Sequence, residues 1–159
     1  MSETQFLERP TVNGVKSWNW ADDRKASFRP GEWMNEPDKM QWKTKAGLDG
    51  LIVRNSNGCL CGYVGIGPQH PNYQKKYDDL HVSCHGGLTY GDMCQGAICH
   101  VPEPGEPEHL YWLGFDCAHS GDDSPSHAHY REWHATYRDI DYVRDEVESL
   151  AEQLAALSN

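Results

Sequence analysis

Residues 50–66 read GLIVRNSNGCLCGYVGI. Two runs rich in β-branched and apolar residues, Leu51–Arg54 and Cys59–Ile66, flank Asn-Ser-Asn-Gly, a set of residues that supplies turn conformations. The pattern predicts a β-hairpin. The strongest single strand is LYWLGFDC, residues 110–117, which is aromatic, apolar and long enough to cross a core. LHVSCHGGLTY, residues 80–90, reads as a strand interrupted at Gly86 and Gly87, with Leu88–Tyr90 in the sheet. A glycine pair inside a strand marks a bulge, or a place where something approaches the backbone closely. From Asp139 onward, DIDYVRDEVESLAEQLAAL sets Val143, Val147, Leu150 and Leu154 at helical spacing, and acidic residues open the run in accord with the helix dipole. The sum is an α+β fold: a small, mostly antiparallel sheet with a C-terminal amphipathic helix on one face or edge.

The chain has 159 residues, the length of one domain with one core. Residues 1–45 are polar and punctuated by FRPGEW and NEPDKMQW, with Trp18, Trp20, Trp33 and Trp42 spread among them. Tryptophan is costly to leave in water, so this stretch is expected as a loop-rich arm packed on the body, residues 46–159 forming the α+β domain. HVPEPGEPEH, residues 100–109, has too few N–H donors for a central strand.

The formal net charge is −10. Such a balance repels phosphate backbones, which argues against nucleic-acid binding by bulk charge. No apolar run is long enough to span a bilayer, and MSETQFLERPTVNG lacks the basic and apolar regions of a signal peptide. The expected location is the cytoplasm. There the six cysteines (Cys59, Cys61, Cys84, Cys94, Cys99 and Cys117) are expected as reduced thiols or metal ligands rather than disulfides.

Two blocks concentrate reactive side chains. HVSCHGGLTYGDMCQGAICH, residues 81–100, holds cysteines and histidines near zinc-ligand spacing, and Cys94, Cys99 and His100 share one short loop. They are the candidate metal ligands, with zinc the candidate cofactor. The bland alternative is buried reduced thiols beside surface histidines. GFDCAHSGD, residues 114–122, places Asp116 and His119 three apart where a strand ends. An Asp that orients a His makes it a general base, and the two can instead share a metal that activates water. His85 reaches the same pocket if the two strands are neighbours. The candidate catalytic set is His85, Asp116, His119 and Asp122, with Gly86, Gly87 and Tyr90 beside the substrate. Capping of a turn by Asp116 and Asp122 accounts for the same residues equally well. By strand alternation, Cys117 faces the core if Asp116 faces a pocket. A third cluster, His127, His129 and His134 in SHAHYREWH, ranks lower because its polar context is that of a loop. Phosphate-loop patterns are absent: GYVGIG is followed by Pro68 and Pro71 rather than by a helix at dinucleotide spacing.

The ordered blocks CGYVGI…HP, HGGLTY, ICHVPEPGEP, GFDCAHSGD and YRDIDYVRDEVESLAEQL resemble a family of small bacteriophage and prophage proteins. The resemblance covers roughly residues 36–157 and is carried by the order of those blocks. It implies a phage or prophage origin and an intracellular life in a bacterial host. His85, Gly86, Gly87, Asp116, His119 and Asp122 match the recurring blocks. The doublet Ser83-Cys84 departs from them, which sets His81 and Cys84 aside. The family brings no reaction with it. Three readings follow. One is a metal- or His/Asp-assisted hydrolase of a small polar or nucleotide-like molecule. The second is a non-catalytic protein that sequesters a small signal or blocks a host defence protein. The third is a zinc module with an interaction surface.

Overall fold

The computed structural model describes residues 5–126 and 135–158. Seven strands form one antiparallel sheet: β1 (Phe6–Glu8), β2 (Lys16–Trp20), β3 (Lys39–Lys43), β4 (Asp49–Arg54), β5 (Leu60–Ile66), β6 (Tyr90–Met93) and β7 (Tyr111–Asp116). Their spatial order is β1-β2-β3-β4-β5-β7-β6, and one helix, α1 (Ile140–Leu157), completes the fold. This is the α+β architecture the sequence predicts.

The β4–β5 hairpin is the centre of the sheet. Asp49 pairs with Gly65 at one end and Arg54 with Leu60 at the other. The turn is closed by the Asn55 side chain, whose Oδ1 accepts the backbone N–H groups of Asn57 and Cys59. The Cys59 carbonyl accepts the Asn55 N–H at 2.8 Å within the turn, and β5 begins at Leu60, one residue later than expected.

Side-chain alternation divides the core in two. Ile52, Leu60, Val64, Ile66, Leu113, Phe115 and Cys117 face α1, which returns Val143, Val147, Leu150, Ala151 and Leu154. Leu51, Val53, Cys61, Tyr63, Leu110 and Trp112 face the opposite side, where Tyr90, Cys94, Ala97 and Ile98 cover them. Leu150 and Leu154 are fully buried, and burial of each stabilises the fold by roughly 1.5–3 kcal/mol. The helix rides close to β5 because Gly62 has no side chain: a Cβ there would lie 2.7 Å from Val147 and 2.5 Å from Phe115. Asp139 caps α1 by accepting the Tyr142 N–H at 2.8 Å.

Two expectations need correction. Residues 1–45, expected as a loop-rich arm, supply three strands to the sheet, and β3 is hydrogen-bonded on both edges. Alternating Met40 and Trp42 bury one face of β3, a period-two signal that the surrounding polar residues obscure. The strand after the glycine pair is Tyr90–Met93, not Leu88–Tyr90. Gly86 and Gly87 both have positive φ, so the chain is still turning there; the Thr89 N–H then donates to the Gly114 carbonyl, and the register with β7 runs from Tyr90.

A buried ionic network ties the N-terminal stretch to the hairpin and the helix. Arg54 Nε donates to Asp38 at 2.8 Å, and Lys25 Nζ lies 2.7 Å from the same carboxylate. Arg54 also reaches Tyr137 and Glu36, and Glu36 accepts the N–H of Ile140, the first residue of α1. Among the described residues, no helix is long and apolar enough to cross a membrane.

Candidate functional site

β7 lies between β5 and β6, with Phe115 and Asp116 at its C-terminal end paired to β5, and the chain leaves it through a turn shaped by carboxylates. Asp116 Oδ1 accepts the Ala118 N–H at 3.1 Å, and Asp122 accepts the His119 N–H at 3.0 Å. The Asp122 N–H donates back to the His119 carbonyl at 2.9 Å. Both acidic residues therefore do shape the turn.

They do more than that. A second turn, closed by Gly87 N–H to the Cys84 carbonyl at 2.9 Å, swings His85 into the same place. His85 Nε2 donates to Asp122 at 2.8 Å, and His85 Nδ1 is hydrogen-bonded to the Tyr142 hydroxyl of α1 at 2.8 Å. Arg138, just before the helix cap, donates from Nε to the other Asp122 oxygen at 2.9 Å. The Asp122 side chain is 1 % exposed. Burial pushes its carboxyl up, but the hydrogen bonds from His85, Arg138 and the His119 N–H outweigh burial and hold it below the ordinary carboxylate range.

His119 completes the cluster. Its ring stands edge-on to His85 with centroids 5.8 Å apart. Its Nδ1 lies 3.5 Å from Asp116 Oδ1 and 3.7 Å from Asp122 Oδ2, within ion-pair range of both. Neither contact is a hydrogen bond, and Nδ1 is buried without a hydrogen-bonding partner among the described residues. Gly86 is what allows the ring to sit there. Its φ of +69° lies in the left-handed region, and a Cβ would come within 2.6 Å of His119 Nδ1.

His85, His119 and Asp122 each offer one donor atom, and the three atoms lie within 4.8 Å of one another, a candidate metal-binding group. Tetrahedral zinc sites with bonds of about 2.0–2.1 Å hold their donor atoms roughly 3.3–3.5 Å apart. The His119 separations of 3.5 and 3.7 Å are close to that edge length and too long for hydrogen bonds. A second candidate group is Cys94, Cys99 and His100. Its sulfurs are joined as a disulfide, whereas the sequence predicts metal ligands or reduced thiols there. The reason is local: Gln95 and Ile98 exchange backbone hydrogen bonds around a tight turn, which brings the two Cα atoms to 4.7 Å.

The remaining sequence candidates fall as follows. Asp116 is at the rim, where the Thr89 hydroxyl donates to its Oδ2 at 3.0 Å. Gly87 has open space where a side chain would be. Tyr90 packs edge-on against Tyr63 in the cluster that faces away from α1. Cys117 is 2 % exposed in the core, and burial drives its thiol far above the ordinary thiol range, which removes it as a nucleophile. His127, His129 and His134 lie outside the described residues. Tyr142 and Arg138, which orient His85 and Asp122, were missed by the sequence reading. Tyr142 sits one residue before Val143 in the apolar periodicity of the helix, and nothing in the sequence pairs it with a histidine 57 positions away. Compared with protein-family models, with curated proteins and with solved structures, the chain finds no match.

Proposed function

We propose that His85, His119 and Asp122 hold a divalent cation, zinc by the nitrogen–oxygen donor set, and that the protein is a metal-assisted hydrolase of a small polar or nucleotide-like molecule. The observation that carries this reading is the buried His119 Nδ1, which has no hydrogen bond and lies 3.7 Å from Asp122 Oδ2, a donor-to-donor distance suited to a shared ion, with Asp116 beside it at the rim. A buried polar atom left unsatisfied costs about 1–3 kcal/mol, a cost that ion binding removes.

His85 joins the set by a change of tautomer. With its proton on Nδ1, donated to the Tyr142 oxygen, Nε2 is free to ligate, and Tyr142 then orients the ring as outer-shell partners of metal-bound histidines do. Arg138 keeps Asp122 ionised and fixed. The ion would polarise a water, and Asp116, a third exposed and anchored by Thr89, is placed to take the proton from it. The phage or prophage resemblance fits a small accessory enzyme of this kind.

The test is a zinc-loaded protein assayed against a panel of nucleotides and phosphate or carboxylate esters, with His119→Ala and Asp116→Asn alongside. Zinc-dependent turnover that both substitutions reduce by about 100-fold or more is the expected result. Tight binding of a panel member without turnover would instead favour the sequestering protein. Turnover unaffected by either substitution would dismiss the site.

A further inference from the structure

Cys94 and Cys99 follow β6 on the two arms of the Gln95–Ile98 turn, on the sheet side facing away from α1. Three features around the sulfurs exceed what a cross-link requires. The Trp112 indole N–H donates to Cys94 Sγ at 3.2 Å. His100 Nδ1 lies 4.0 Å from Cys99 Sγ. His100 Nε2 lies 3.1 Å from the Pro107 carbonyl oxygen. A carbonyl only accepts, so Nε2 carries the ring proton, and Nδ1 turns its lone pair toward the sulfurs. A histidine whose far nitrogen is fixed by a backbone carbonyl is the arrangement found behind metal-bound imidazoles. His100 is itself buried, edge-on to Trp112.

We propose that this loop is a redox-gated zinc site, in which one Zn2+ and the Cys94–Cys99 bond exclude each other. Reduction by a cellular dithiol breaks the S–S bond and forms two thiols, as the dithiol becomes a disulfide. The ion then displaces both thiol protons and is held by two thiolates and His100 Nδ1, with a fourth position left to water. The donor atoms already lie within 4.8 Å of one another. The Trp112 N–H steadies the negative charge that develops on Cys94. In the reverse direction hydrogen peroxide takes two electrons from the thiolate pair. With two protons it yields two waters, the disulfide re-forms, and the ion is released. Cys59, Cys61 and Cys117 do not compete, because they are buried in the core.

The experiment uses the whole chain and cobalt(II) as the probe, since only thiolate ligation gives a sulfur-to-cobalt charge-transfer band. Protein reduced with a phosphine is expected to develop the band, which saturates at a single equivalent when the other cation site is disabled by His119→Ala. Hydrogen peroxide is expected to abolish it and release the ion, and oxidised protein is expected to show none. The band is expected to persist in His119→Ala, which separates this site from the His85 cluster. His100→Gln is expected to weaken binding about tenfold or more. Circular dichroism of each variant controls for folding, and the reduced wild-type chain needs no substitution. A reduced protein without the band, a band that survives in Cys94→Ser/Cys99→Ser, or unchanged affinity in His100→Gln would overturn the proposal.

Discussion

Arg54 and His119 each face a pair of carboxylates from within the fold, and they meet them differently. Arg54 places Nε on Asp38, Nη1 on the Gly58 carbonyl and the Tyr137 hydroxyl, and Nη2 on Glu36 and the Pro37 carbonyl. Every nitrogen of the guanidinium is used. The carboxylate it faces is used as well, by Lys25 and by the Trp20 N–H. His119 Nδ1 is buried beside Asp116 and Asp122 and bonds to neither. A saturated polar network specifies a structure, and an unsaturated one at the end of a rigid strand leaves donor atoms ready for a ligand. The two clusters thus differ in how fully their polar atoms are used.

The contrast predicts that damage to the two clusters is read out by different measurements. Asp38→Ala leaves Arg54 and Lys25 buried without their main partner. Breaking a buried ion pair costs about 3–5 kcal/mol, a large part of the stability of a domain this size. Urea unfolding is expected to show that loss in full, and a loss under about 1 kcal/mol would break the comparison from the scaffold side.

Asp122 belongs partly to both categories. Its native carboxyl titrates below the ordinary range, so the stability it contributes is present above the unfolded value and is lost as pH falls through the native one. Unfolding followed between neutral pH and about pH 2 is expected to show an acid loss that Asp122→Asn removes. The same substitution at neutral pH is expected to cost about 1.5–3 kcal/mol, through the weakened bonds from Arg138 and His85. An acid limb identical in the two proteins would mean that Asp122 is not held as described.

Gly86→Ala is smaller again. Its φ of +69° costs an L-residue about 1–2 kcal/mol, and the new methyl group displaces the His119 ring. Cation affinity is expected to fall with His119 out of place, although no ligand has been removed. Affinity equal to wild type would show that the ring position does not matter.

The sequence disclosed these regions unequally. The hairpin, β7 and α1 were legible because their apolar periodicities are strong and local, and the buried faces are those the periodicity marks. β3 was not, since its two inward residues sit among lysines and a glutamine whose roles emerge only once β2 and β4 flank them. The meeting of His85 with Asp122 could be framed as a condition, that two strands be neighbours, but it is a turn outside the sheet that satisfies it. Arg138 and Tyr142 were illegible, because each contributes a single polar contact across a long sequence separation. The Cys94–Cys99 bond was missed because compartment reasoning about thiols says nothing of a turn that sets two of them face to face.

On the proposed reading, His119 Nδ1 is a ligand in waiting rather than part of the scaffold. Calorimetric titration of zinc into oxidised wild-type protein and His119→Ala, with thermal unfolding of both metal-free proteins, tests it most directly. Oxidation keeps Cys94 and Cys99 out of the measurement. The account predicts a single site in wild type, a loss of at least about tenfold in affinity for His119→Ala, and metal-free stabilities within about 1 kcal/mol of each other. Equal zinc affinity in the two proteins, or a substitution that melts the fold as Asp38→Ala does, would contradict it.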